Sequence, residues 1–301
     1  MKRLSDFVAG AKGLTLVWFF ALTILAACDG SDNGMEAADS RKKSSNSKDN
    51  AKSFSSLCED CEDEAISSSS SAGGWVSSSN LESFDWSIPK ENYLNPEITY
   101  GTMTDSRDGQ TYKTVKIGDQ TWMAENLNYE TANSFCYEKY ASNCSKYGRF
   151  YLWSAAMDSA GTWSTNGKGC GYGRTCRVAS AGSATLVRGV CPDGWHLPTQ
   201  TECNTLFTAV GGKSTAGTKL KSTSGWYDNG NGTDAFSFSA LPAGNRDDDG
   251  SFYYVGNYAY FWSATELNSL DAYGMTLYYN YDEATLFDHG YKDLGSSVRC
   301  V

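Results

Sequence analysis

The sequence predicts an α+β domain, a twisted antiparallel sheet with few short helices and several disulfides, carried behind a disordered N-terminal spacer. Three observations point there. From residue 236 onward, "FSFSALPAG", "SFYYVGNYAYFWSAT" and "AYGMTLYYNYDEATLF" are runs rich in aromatic and β-branched residues, punctuated by Gly and Asn. Helical signals are few, a short one after Ser154 and a main one after Thr199. The chain carries 10 Cys in 301 residues, which fits an oxidising compartment.

At the N-terminus, Lys2, Arg3 and Lys12 precede "GLTLVWFFALTILAAC", whose apolar run ends at Ala27. The run is shorter than the ~20 residues of a comfortable membrane span and has the charge flank of a secretory signal. It closes on Leu25-Ala26-Ala27-Cys28, which resembles the bacterial lipobox, where a hydrophobic and two small residues precede the acylated cysteine. Residues 1–27 are therefore expected to be a lipoprotein signal peptide, and Cys28 the lipid-bearing mature N-terminus. An ordinary signal peptide with an incidental cysteine is the competing reading. Several acyl chains anchor far better than one, so the membrane becomes a partner through the lipid. The expected location is the cell envelope, at the outer membrane or cell surface.

Residues 28–97 read as a linker. Stretches such as "SDNGMEAADSRKKSSNSKDNAKSFSS" have no sustained apolar period and cannot bury enough surface to offset the cost of ordering. About 65 flexible residues span roughly 40 to 50 Å, enough to hold a domain clear of a membrane. Cys58 and Cys61 stand there as C-x-x-C among carboxylates. Zinc would need a second ligand pair and redox catalysis a helix N-terminus, so a local or intermolecular disulfide is expected.

The globular part is expected over residues 98–301, opening with a β-hairpin. Tyr112–Ile117 and Gln120–Ala124 are strand-like runs on either side of Gly118-Asp119, a pair suited to a two-residue turn. Arg149–Trp153 reads as a strand, followed by Ser154 as the cap of a short helix over "AAMDSA". Thr199-Gln-Thr-Glu202 is a capping box, with Pro198 setting the direction of the chain before it. Behind it Cys203, Leu206, Phe207 and Val210 fall at i, i+3, i+4 and i+7, the buried stripe of a helix. Trp122, Trp153 and Trp262 lie on strand-like runs and are assigned to the core.

Charge and cysteine spacing narrow the chemistry. A net charge of −10 with scattered Lys and Arg leaves no basic face to displace counterions, so nucleic acid is not expected as a partner. The stretch "CPDGWHLPTQTEC" places Cys191, His196 and Cys203 together, but the spacing matches no zinc ribbon or finger, and the only other histidine, His289, lies in a Gly-flanked loop. A cysteine nucleophile would need Cys203 beside His196, whereas the helix turns Cys203 inward, where a thiol is inert. No metal, cofactor or catalytic residue is expected, and His196 reads as a half-buried, hydrogen-bonded side chain. Cys136 with Cys144 and Cys170 with Cys176 are near enough to close small loops, and Cys191 with Cys300 would staple the C-terminus to the turn before the main helix. Cys203 is then the odd cysteine.

Five ordered motifs carry a family resemblance. "DSRDGQTYKTVKIGDQTWMAENLNY" (Asp105 to Tyr129), "CPDGWHLPT" (Cys191 to Thr199), "FSALPAG" (Phe238 to Gly244), "YFWSAT" (Tyr260 to Thr265) and "SVRC" (Ser297 to Cys300) together resemble the Fibrobacter succinogenes major paralogous domain family over residues 98–301. The resemblance implies a secreted or lipid-anchored surface protein with a C-type-lectin-like fold and no established activity. It also implies a large apolar residue at position 203, in keeping with a buried thiol there.

Two Asx-rich loops, Asn245–Gly250 and Asp228–Asp234, offer oxygen ligands, but the first has Gly256 where a calcium loop places its bidentate Glu. Neither holds the Glu-Pro-Asn or Gln-Pro-Asp triplet of sugar-binding C-type lectins, and turns without an ion are the expectation. The candidate ligand-binding residues are Trp163, Tyr172 and Arg174 of "CGYGRTC", Trp226 and Tyr227, in Gly- and Ser-rich stretches where ring faces would be exposed to sugars or partner proteins. The function expected is a non-catalytic binding or adhesion module for polysaccharide or surface partners. The alternatives are a structural envelope protein without a small ligand, and an enzyme like the formylglycine-generating oxidases, whose fold is related but whose reactive cysteine pair would need the Cys300 of the staple.

Overall fold

The structure, a computed structural model, describes residues 87–301. The lipobox, Cys28, Cys58 and Cys61 lie outside the described residues. Strand β1 (Gly101–Thr104) is followed by β2 (Thr111–Ile117), β3 (Gln120–Met123) and β4 (Ser134–Phe135). Helix α1 (Ala141–Tyr147), strand β5 (Phe150–Leu152) and helix α2 (Trp153–Ala156) come next, then helices α3 (Gln200–Ala209) and α4 (Lys213–Leu220). Strands β6 (Asn245–Arg246), β7 (Phe252–Tyr253), β8 (Tyr258–Glu266), β9 (Asp271–Tyr278), β10 (Ala284–Tyr291) and β11 (Gly295–Ser296) complete the chain. Among the described residues no helix is long and apolar enough to cross a membrane.

The architecture is α+β, with antiparallel pairing between the named strands, but the strands divide among three sheets rather than one: β1-β2-β3, β10-β9-β8, and β4-β5-β11-β6-β7. The expected hairpin is present, with Ile117 opposite Gln120 across Gly118-Asp119. It does not open the domain, because β1 precedes it and pairs Thr104 with Thr111. Strand β1 is nearly all exposed and has no apolar alternation to announce it. The short helix also differs from expectation. Trp153 N–H donates to Lys292 O at 3.0 Å, so the helix begins at Trp153 with Leu152 as its cap and Ser154 inside it. It stops at Ala156, before Asp158 enters the left-handed region at φ 55°.

Helix α3 starts as its sequence dictates. Glu202 N–H donates to Thr199 Oγ1 at 3.2 Å, and Thr199 N–H donates to Glu202 Oε2 at 2.8 Å. Its Cys203, Leu206 and Phe207, with Val210 just after it, meet Ala216 and Leu220 of α4 against the inner face of the β8-β9-β10 sheet, where Ala259, Phe261, Met275, Leu277 and Ala284 are buried. A second core forms around Trp153 and Trp262. Their indoles donate to carbonyls across the gap between sheets, Trp153 Nε1 to Ser263 O at 2.9 Å and Trp262 Nε1 to Tyr151 O at 2.8 Å, so neither buried N–H is left unpaired.

Arg299 joins three of the motifs. Its guanidinium is 1 % exposed and lies over the Phe238 ring at 4.4 Å. Nε donates to Asn126 Oδ1 at 2.8 Å, Nη2 to Ser239 O at 2.8 Å, and Nη1 to Phe238 O. Ser239 in turn donates from its backbone and hydroxyl to the buried Asp234 carboxyl at 2.7 and 2.6 Å. Burial pushes that carboxyl up to about 7, against the pull of those hydrogen bonds. Disulfides close Cys136 with Cys144, Cys170 with Cys176 and Cys191 with Cys300, and Cys203 is free and buried.

Candidate functional site

The face of the β8-β9-β10 sheet opposite the helices is built of tyrosines. Along β8 the pleat sends Ala259 and Phe261 into the core and Tyr258 and Tyr260 to the other side. Tyr258 stands opposite Tyr278 of β9, and their rings stack at 4.2 Å between centroids. Tyr260 stacks on Tyr258 at 5.2 Å and meets Phe287 edge-on at 6.0 Å. Phe287 lies across Gly274, where an added Cβ would come within 2.1 Å of its ring. The stack is extended by rings from the turns: Tyr254 packs edge-on at 5.2 Å against Tyr258, and Tyr281 at 4.9 Å against Tyr278. Tyr254 is 54 % and Tyr281 53 % exposed, and Tyr253 beside them is exposed as well. Stacking consumes ring faces inside the ladder, so the faces open to a ligand belong to these terminal rings.

Three turns that are far apart in sequence hold the surface in place. Buried Lys221 donates its ammonium to the carbonyls of Tyr278, Tyr279 and Tyr281 at 3.2, 2.9 and 3.2 Å, and burial lowers its pKa. Tyr279 N–H donates to Asn257 O at 2.9 Å, and Tyr227 N–H to Gly256 O at 2.8 Å. Tyr254 sits in the left-handed region at φ 64°, a conformation that is costly for a bulky side chain and persists only where the surroundings impose it. Burial pushes the Tyr258 hydroxyl up to about 12, with the hydrogen bond to Tyr278 next in effect, so it stays a neutral donor and acceptor at physiological pH.

The motif that crosses this sheet, "YFWSAT" on β8, falls within the span of a family model described as the Fibrobacter succinogenes major domain, which matches residues 115–301. The chain belongs to this family. No curated protein and no solved structure matches the chain.

Within the major domain, the five residues expected to bind a ligand divide. Tyr227 joins the tyrosine surface, 5.4 Å from Tyr279. Tyr172 is 50 % exposed and Arg174 is exposed, on the loop closed by Cys170 and Cys176. That loop is fixed from beneath by a buried ion pair: Lys292 Nζ donates to Glu266 Oε2 at 2.8 Å and to Arg174 O at 3.2 Å, and Cys176 N–H donates to Glu266 Oε1 at 2.7 Å. Trp163 is only half-buried, and one side of it is taken by Tyr129, 5.6 Å away and edge-on, and by the Arg107 guanidinium at 5.0 Å. Trp226, in contrast to the exposed ring expected, is 5 % exposed, donates its indole N–H to Ser222 Oγ at 3.1 Å, and belongs to the core beneath the sheet. Its turn folds inward because Asn231 Oδ1 accepts the Trp226 N–H at 3.0 Å.

The residues that sequence reasoning passed over are Tyr253, Tyr254, Tyr258, Tyr260, Tyr278 and Tyr281. "YYVGNYAYFW" and "YYNYDE" were legible as aromatic strand and turn residues, and the alternation of Tyr258 and Tyr260 with Ala259 and Phe261 was the available signal of a tyrosine face.

The Cys191 to Cys203 stretch is tied together by the Cys191 disulfide and the capping box of α3. His196 Nε2 and Glu202 Oε1 are 2.7 Å apart. Burial opposes the Glu202 anion, yet hydrogen bonds from His196 and Thr199 together hold its pKa below the usual carboxylate range. Burial pushes the Cys203 thiol up to about 12, which removes the thiolate at physiological pH. Among the described residues one acidic cluster, Asp247, Asp248 and Asp249, brings carboxylate oxygens within 4.8 Å of one another. Its oxygens accept turn N–H groups, Asp248 N–H to Asp247 Oδ1 at 3.0 Å and Ser251 N–H to Asp249 Oδ1 at 2.7 Å. The other Asx-rich loop is pulled apart: Asp228 is exposed, while Asp234 is buried against Ser239.

Proposed function

We propose that the major domain is a non-catalytic binding module, displayed on the cell envelope by a lipid on Cys28, that holds polysaccharide on its tyrosine surface. The observation that carries this reading is the exposed pair Tyr254 and Tyr281 at the ends of a buttressed ladder. A tyrosine ring is rigid and amphipathic, with a face for the C–H side of a sugar ring and a hydroxyl for its oxygens. The Lys221 clamp and the imposed backbone of Tyr254 order the rings before any ligand arrives, which reduces the entropy lost on binding. Against the oxidase reading, Cys300 is tied to Cys191 and Cys203 is buried.

The test is affinity electrophoresis and titration calorimetry on the mature chain across a panel of soluble polysaccharides. Tyr254→Ala with Tyr281→Ala is expected to weaken binding by about 2 kcal/mol or more, as loss of aromatic anchors does, with little change in melting temperature. Parent affinity in the double variant, or a panel in which nothing is retained, rejects the site. The anchor is tested separately. Cys28→Ala should move the protein from the membrane fraction to the soluble one, and unchanged partitioning would reject the lipid.

A further inference from the structure

The three turns that carry the tyrosine surface, residues 226–231, 247–258 and 278–283, contain Asp228, Asp247, Asp248, Asp249, Asp282 and Glu283 and no Lys, Arg or His. Asp228, Asp248, Asp249, Asp282 and Glu283 are exposed. The cations packed against these turns are already engaged. Lys221 is buried with its ammonium on three carbonyls. Arg246 donates to Asp247 O at 3.0 Å, with its guanidinium over the Phe135 ring at 4.1 Å. On the neighbouring β10 edge His289 is exposed, 3.4 Å from Asp288.

We infer that the ligand of this surface is a neutral glycan, and that the acidic rim rejects polymers bearing carboxylate, sulfate or phosphate. The inference rests on the binding reading above and adds the ligand's charge class. A polyanion laid across Tyr254, Tyr258 and Tyr281 would meet Asp282 and Glu283, which directly follow Tyr281, and Asp228 beside Tyr227, and charges on neighbouring groups interact over the ~8 Å screening length of physiological salt. No Lys or Arg on the three turns is there to pair with it. Uncharged sugar rings meet no such repulsion. They place C–H faces on the open rings of Tyr254 and Tyr281 and hydroxyls against the phenols and the exposed amides of Asn229 and Asn280. Like-charge rejection of the wrong ligand is a common source of specificity.

The experiment compares a soluble neutral glucan with the same glucan carboxymethylated, each titrated into the mature chain. At low salt the carboxymethylated polymer is expected to bind at least about tenfold more weakly. The gap should close in about 1 M salt, where the screening length falls to ~3 Å. Asp228→Asn with Asp282→Asn and Glu283→Gln should narrow it at low salt while leaving affinity for the neutral glucan unchanged. Equal low-salt affinity for the two polymers, lost in both with Tyr254→Ala and Tyr281→Ala, would overturn the charge inference and leave the binding site standing. So would a preference that salt does not move. If neither polymer binds, or if both bind the tyrosine variant as tightly as the parent, the binding reading itself fails and the face is left to a protein partner.

Discussion

Arg299→Met should lower the unfolding free energy of the domain by about 3 kcal/mol or more, read as a shift in the urea midpoint at constant slope. The guanidinium is the only donor to Phe238 O, Ser239 O and Asn126 Oδ1 among its described contacts, and all three acceptors are buried. Methionine fills much of the space without donating, so each acceptor loses its partner at about 1 to 3 kcal/mol. Part of this is returned because a buried charge no longer has to be desolvated. Three carbonyl-type acceptors outweigh that return, because the charge is already solvated by them and by the Phe238 ring. Arg299→Lys should lose nearly as much, since a single ammonium cannot span acceptors that a planar fork reaches from three nitrogens. A loss under about 1 kcal/mol in both variants would show that the motif residues Asn126, Ser239 and Arg299 do not act as a stability hub.

Removing the long disulfide should cost more than removing a short one. Cys191 and Cys300 close a loop of sequence separation 109, for which the chain-entropy model gives about 4 to 5 kcal/mol. Cys136 and Cys144, at separation 8, give about 2.5 kcal/mol on the same scale. Cys191→Ala with Cys300→Ala is therefore expected to shift the denaturation midpoint by nearly twice as much as Cys136→Ala with Cys144→Ala. Cys300 also lies in the core, where its carbonyl accepts Met123 N–H at 3.0 Å, and the neighbouring Val301 exchanges backbone hydrogen bonds with His196 at 3.0 and 3.1 Å. These bonds keep the C-terminus docked once the staple is gone, so the variant should still fold. Equal shifts in the two double variants would mean that contacts made by the C-terminal segment, not loop closure, dominate its stability.

Local structure was legible in the residues alone. The Thr199–Glu202 box, the Cys203 to Val210 stripe and the Gly118-Asp119 turn depend on hydrogen bonds and sterics within a few residues, and each is found where its residues require. The family resemblance was equally readable, and the family model matches residues 115–301, all of the quoted motifs except the stretch before Val115. Even locally, strand β1 escaped, because an exposed edge of four residues carries no apolar period. Which aromatic rings meet water and which polar groups are paired depends on packing between distant segments. Trp226 and Tyr227 are neighbours in one Gly-rich turn, yet one is buried beneath the sheet and the other is exposed on it. Arg299 finds partners 60 to 173 residues away, and the tyrosine surface needs Lys221 to hold a turn 57 to 60 residues downstream. Exposure follows from which face of a strand the helices cover, and the pleat allows either face until α3 and α4 pack against one of them.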